Sequence, residues 1–388
     1  MIGAPARLLA MLAFAAATQV ATAGDRFVPD DPSFVVANIR QVMPDENLRA
    51  RLSNWRAEPA AEAPAVALAD ALLERARTLR EPSYVGRAEA VLAPVVSKAG
   101  AGAAARRLYA ETLQYRHDFG AAEALLDQIL QVAPRDAAAR TQRASVRLVR
   151  GDFAGARGDC AQLVTAGGGD SVVGMACLAE AYAGSGQFEQ AQTLLQTFPV
   201  NPASQPAAHA YLLTVRAELR ERAHDLNGAI ADYGVALRLA PRDDSIRAAL
   251  ADALAARGNA HDAGALLDVE RPSLALLVRH ALLAEGAQRT ALRQRAAAWL
   301  ALEAARGDAV HNREAAMLAL GAGDARVALA AAQANFAVQK ELPDVRVLAR
   351  AAVAAQDVAA QEGLRAWLRS TGFTDAVAES ILSGASRG

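Results

Sequence analysis

The chain has 388 residues, a formal net charge of -1, 53% hydrophobic residues and only 5% aromatic ones. That length admits two or three compact domains or one long repeat array, and the balanced charge excludes the basic surplus on which nucleic-acid binding rests. Roughly a quarter of the chain is alanine, and a chain rich in Ala, Leu and Arg but poor in β-branched and aromatic residues favours many closely packed helices over sheets.

Residues 1–23 read as a signal peptide. Arg7 gives a positive start, and Leu8 to Ala17 form an apolar stretch too short to span a bilayer. Ala21-Thr22-Ala23 then matches the small-x-small cleavage pattern, leaving Gly24 as the first mature residue. No cysteine follows the cut to carry a lipid, and no later run reads as a membrane span. The expectation is a periplasmic or secreted protein. Residues 24–60 hold Pro29, Pro32, Pro44 and Pro59 and read as an irregular lead with short helical pieces.

From there a short string recurs: His117-Asp118-Phe119-Gly120-Ala121-Ala122, Gly151-Asp152-Phe153-Ala154-Gly155-Ala156, Gly186-Gln187-Phe188-Glu189-Gln190-Ala191 and Gly258-Asn259-Ala260-His261-Asp262-Ala263. Weaker copies end at Ala88 and Ala229, so the closing alanines are spaced 34, 34, 35, 38 and 34 residues apart. Twelve residues before each stands another alanine: Ala76, Ala110, Ala144, Ala179, Ala217 and Ala251. A large residue follows four places after most closing alanines, as Leu92, Leu126, Leu195, Tyr233 and Leu267, with Cys160 in the third copy. Pro134 and Pro241 fall where a unit ends and cannot continue a helix.

These residues resemble the tetratricopeptide repeat (TPR), whose period is about 34 residues. The resemblance implies an all-α solenoid, a right-handed superhelix of stacked antiparallel helix pairs, with the two alanines of each unit at the point where its helices A and B cross. It divides the chain into six TPR-like units over 61–270, degenerate TPR-like helix pairs over 271–345, where Ala316 and Ala328 repeat the twelve-residue step, and capping helices with a tail over 346–388. The strings His311–Ala316 and Asn335–Asp344 look similar to segments of exported bacterial TPR proteins of unassigned role.

A stack of this kind presents a concave surface lined by A helices, suited to segments of other proteins. In a TPR helix A the residue after the first alanine points into that groove. Here those residues are Arg77, Glu111, Ser145, Glu180, Glu218 and Asp252. The carboxylates Glu111, Glu180, Glu218 and Asp252 would favour a partner segment carrying Arg or Lys, or they are simply solvated charges. The Lys/Asn set by which chaperone-docking TPR domains hold a terminal carboxylate is missing, since the equivalent sites hold Arg107, Glu111, Thr141, Gln142 and Ser145. The two cysteines, Cys160 and Cys177, fall on packing neighbours of such a stack and can form one disulfide or remain two buried thiols.

No phosphate loop, nucleophile elbow or His-Glu-x-x-His string occurs, and no histidine has a metal-ligand partner three or four residues away. Gly167-Gly168-Gly169 reads as a flexible join, and Arg150-Gly151-Asp152 and Arg306-Gly307-Asp308 as ordinary turns. The expectation is therefore a non-enzymatic protein-protein interaction scaffold of the bacterial cell envelope, with protein partners, no cofactor and no metal. The alternative is an accessory subunit or enzyme with a pocket in the degenerate 272–345 segment, which holds His280, Trp299, Arg306, Asp308, His311, Arg313 and Glu314.

Overall fold

A computed structural model describes residues 46–384 apart from 80, 167–168, 198–200, 202 and 307–310. The expected signal peptide, the first part of the lead, two glycines of the Gly167–Gly169 join, and Gly307 and Asp308 lie outside the described residues. Among the described residues every regular element is an α-helix.

Helix α1 (Glu46–Ala57) lies in the expected lead and precedes six helix pairs. These are α2 (Glu62–Leu79) with α3 (Ser83–Val96), α4 (Ala103–Tyr115) with α5 (Phe119–Val132), and α6 (Ala137–Arg150) with α7 (Phe153–Ala166). Then come α8 (Gly169–Gly184) with α9 (Phe188–Thr197), α10 (Pro206–Arg222) with α11 (Leu226–Leu239), and α12 (Asp244–Ala256) with α13 (Ala260–Leu267). The remainder is α14 (Leu274–Leu283), α15 (Gly286–Arg306), α16 (Asn312–Ala322), α17 (Ala325–Val338), α18 (Leu342–Ala354), α19 (Val358–Thr371) and α20 (Ala376–Ser383).

The recurring string makes the turn inside the second to sixth pairs. Its first residue takes the left-handed conformation that ends helix A, at φ 78° in Gly151 and 58° in His117. The next residue caps helix B: the side chains of Asp118, Asp225 and Asn259 accept hydrogen bonds from the backbone N–H groups of Ala121, Gly228 and Asp262. Both alanines of each of the six pairs are buried, and so are Ala316 and Ala328. Ala110 and Ala122 share one core with Leu113, Leu126 and Ile129, as expected of a crossing point.

A second recurring device is polar. On α6, Arg140, Arg143 and Arg147 all bond the buried carboxylate of Asp159 on α7. On α10, Arg216 and Arg220 hold Asp232 of α11 in the same way. Arginine can fork onto a carboxylate without bringing an unpaired charge into the core, so these clamps fix the A–B pairing where side chains are too small to do so.

The chain also curls back on itself. The Lys340 N–H donates to the Val149 carbonyl at 2.7 Å, the His117 and His311 rings meet edge to face at 5.9 Å, and Phe153 lies 6.2 Å from Phe373. One hydrophobic core thus joins residues of α6, α7 and α8 with residues of α14–α20. Cys160 on α7 and Cys177 on α8 sit in that core, are bridged, and have Cα atoms 5.5 Å apart.

Two expectations follow. Ala122→Leu inserts three methyl-sized groups where no surface is free, and should lower stability in urea denaturation by about 1–3 kcal/mol; an unchanged midpoint would contradict the crossing. Thiol titration of the unfolded, unreduced protein should find no free thiol, and Cys177→Ala should cost about 3 kcal/mol, the value for a loop of this length. Two titratable thiols in unreduced protein would remove the bridge.

Candidate functional site

Helices α8, α10, α12 and α14 line the inner side of the curve, and their charged residues converge there. Glu180 of α8, Glu218 of α10 and Asp252 of α12 all face one cavity of about 200 Å³. A neighbouring space of about 440 Å³ shares Glu218 and Asp252 and adds Arg346 and Arg350 of α18. Glu111 is elsewhere: it is ion-paired with Arg77, which also bonds Glu74. Arg77 and Glu111, both read as groove residues, thus neutralise each other. Ser145 borders a third cavity, of about 310 Å³, which also reaches Glu180.

The carboxyls of the lumen differ in their partners. Asp252 accepts from Arg279 Nε at 2.9 Å. Glu180 accepts from the Tyr211 hydroxyl at 2.7 Å. Glu218 has no hydrogen-bond or ion-pair partner among the described residues. Burial, reinforced by the charge of Glu341, pushes Glu180 up to about 7, with the Tyr211 hydrogen bond opposing. Burial also holds Glu218 well above the usual carboxylate range, helped by Glu180 and Glu221 and opposed by Arg222. Glu180 and Glu218 are therefore half-buried and resist ionising together, unlike solvated charges on a helix face.

Cations stand around it. Arg222 donates to the Ala183 and Thr374 carbonyls, and burial lowers it to about 10. Arg313 pairs with Glu341 and with the buried Asp344, which also accepts from Asn335 Nδ2 at 2.6 Å. The two strings around residues 311–316 and 335–344 thereby form one polar knot beside the lumen.

Of the alternative pocket's residues, Arg313 and Glu314 face the 200 Å³ cavity, whereas His311 is not among its walls. His311 Nδ1 instead hydrogen-bonds Glu303 at 2.9 Å, and Glu303 accepts from Trp299 Nε1 at 2.9 Å. His280 is buried in α14; Asp308 lies outside the described residues. Among the described residues no group of His, Cys, Asp and Glu side chains is arranged to hold a metal ion, and no helix is long and apolar enough to cross a membrane.

Sequence reasoning missed Arg222, Arg346, Phe373 and Asp375, since their role depends on the curl-back. It also missed the Arg–Asp clamps. Their signal was present: arginines at one residue before and three after the first alanine, and aspartate three after the second, recur in the third and fifth units.

No protein-family profile matches the chain, and no curated protein matches it in sequence. Solved structures do match in shape. A thermophilic TPR protein of Thermus thermophilus is 23% identical, at TM-score 0.38, over 51% of this chain and 98% of that one. A TPR protein from Parabacteroides merdae is 16% identical, at TM-score 0.41, over 66% of this chain and 98% of that one. The Cut9–Hcn1 hetero-tetramer of APC/C is 15% identical, at TM-score 0.51, over 89% of this chain and 68% of that one. With this last likeness, the buried alanine crossings show the chain to be a TPR α-solenoid.

The raised carboxyls make a pH prediction. A carboxyl whose folded pKa is raised stabilises the fold below its unfolded value and ceases to do so as pH climbs through the folded one. Stability should therefore fall between pH 4.5 and about 7 on account of Glu180. Glu180→Gln with Glu218→Gln should flatten that slope and gain about 1–3 kcal/mol at pH 8. Equal urea midpoints for both proteins at pH 8 would contradict it.

Proposed function

We propose that the protein is a non-catalytic scaffold of the cell envelope that receives a basic segment of a partner protein in its lumen. The TPR fold supports protein binding in general. The observation that supports the finer reading is the cavity where Glu180 and Glu218 meet with their charges uncompensated by a paired cation. A Lys or Arg entering it would supply the cation that the cluster lacks and draw both carboxyls into ionised form. Asp252 and Glu111 contribute less, because Arg279 and Arg77 already engage them. The envelope setting is supported by the signal-like sequence of residues 1–23.

The test is a crosslinking pull-down from envelope extract with three proteins. Against wild type, the Glu180→Gln, Glu218→Gln double variant should capture a specific partner about tenfold less well, a difference near 1.4 kcal/mol. Glu111→Ala should capture it unchanged. Equal capture by the double variant would remove the carboxyl lumen from binding.

A further inference from the structure

Three arginines face the space of about 440 Å³, and they differ in their partners. Arg279 of α14 pairs with Asp252 at 2.9 Å. Arg346 of α18 pairs with Glu221 and with Asp375. Arg350, one turn further along α18, has no hydrogen-bond or ion-pair partner among the described residues. Its side chain keeps exposed surface, yet the protein around it lowers its pKa by desolvation, with Asp252 and Asp375 opposing and Arg346 and Arg279 adding to the lowering. Glu218 of α10, equally without a partner among the described residues, faces the same space. One cavity thus holds an acid and a base that pair neither with each other nor with a neighbour. Much of its remaining wall is apolar, with Leu282 and Leu283 of α14, Met317 of α16 and Val347 of α18.

Each unpaired group asks for the opposite charge. A guanidinium takes a carboxylate through two parallel hydrogen bonds, and a desolvated carboxyl is drawn into its ionised form by an ammonium or guanidinium beside it. A molecule bearing both charges answers the two at once, and an alkyl stem between its charges covers apolar wall. We infer that the 440 Å³ space is a binding site for a small zwitterion of the basic amino acid or dipeptide class, its side-chain cation on Glu218 and its carboxylate on Arg350. The size agrees, since sites for small molecules span about 300–1,000 Å³ and this one lies in the lower half of that range. The inference goes beyond the binding of a partner segment, and it gives that binding a control. Glu218 faces both the 200 Å³ cavity and the 440 Å³ space, so a zwitterion held there competes with any basic side chain that enters the lumen.

The test is calorimetric titration of the full-length protein with L-lysine, L-arginine and the dipeptide Ala-Lys, each beside its amide, which keeps the side-chain cation and lacks the carboxylate. At least one acid should bind wild type about tenfold more tightly than its amide; the amino acids and the dipeptide distinguish the two sources of the same chemistry. Arg350→Gln should bring that acid down to the level of its amide and leave the amide unchanged, and Arg350→Lys, which keeps the charge without the fork, should recover part of the preference. Glu218→Gln should weaken acid and amide alike. Because Arg350 holds no partner, Arg350→Gln should keep the urea midpoint of wild type. The inference is overturned if none of the acids binds, if acid and amide bind equally, if Arg350→Gln weakens both alike, or if its urea midpoint falls, which would give Arg350 a place in the fold instead. Equal binding of acid and amide that still depends on Glu218 leaves the basic-segment reading standing. Zwitterion binding that depends on both residues, with no partner captured in the pull-down, supports this inference and removes that reading.

Discussion

The structure depends on one steric constraint: two helices of a pair can approach closely only where both carry a small side chain. Alanine at the crossing lets the backbones close and brings the larger residues around it, such as Leu113, Leu126 and Ile129, into one core. Because the same pair of alanines recurs at the TPR step, the same crossing recurs, and the array follows from repeating it. The cost of this economy is little apolar volume per unit. The Arg–Asp clamps on Asp159 and Asp232 answer that deficit with directional bonds in the units where they occur.

A solenoid held only by neighbours would unfold piecemeal, since each unit touches only the next. Here the contacts of Lys340 with Val149, of Phe373 with Phe153 and of Arg346 with Glu221 tie residues far apart in sequence. They couple the third, fourth and fifth pairs to the last helices, so that loss of one end is felt in the middle. The disulfide between α7 and α8 lies inside the core that does this coupling and joins the third pair to the fourth.

The repeat was legible because its signal is local: a string at the turn and two alanines at a constant step, each recording one contact within a pair. The inward direction of Glu180, Glu218 and Asp252 was legible for the same reason, being set by helix phase relative to Ala179, Ala217 and Ala251. What was not legible is what faces them. Nothing in the spacing of Glu111 says that Arg77 reaches it from the preceding A helix, and nothing near Arg222 announces Phe373 or Thr374 more than 150 residues later. Helix phase fixes where a side chain points, while superhelical curvature decides what it meets, and curvature sums small rotations over many units.

Curvature also settles the electrostatics of the lumen. On an open solenoid Glu180 and Glu218 would be ordinary hydrated carboxylates, each about as acidic as in a peptide. Bringing the α17–α18 junction inside the curve places Glu341 beside them and removes water from between them, so ionising one makes ionising the other harder. A site that repels its own charge in this way gains most from a cation it does not possess, and least from the arginines already committed to Asp159, Asp232 and Asp375. The closure that stabilises the array is therefore the same event that raises the carboxyls of its interior.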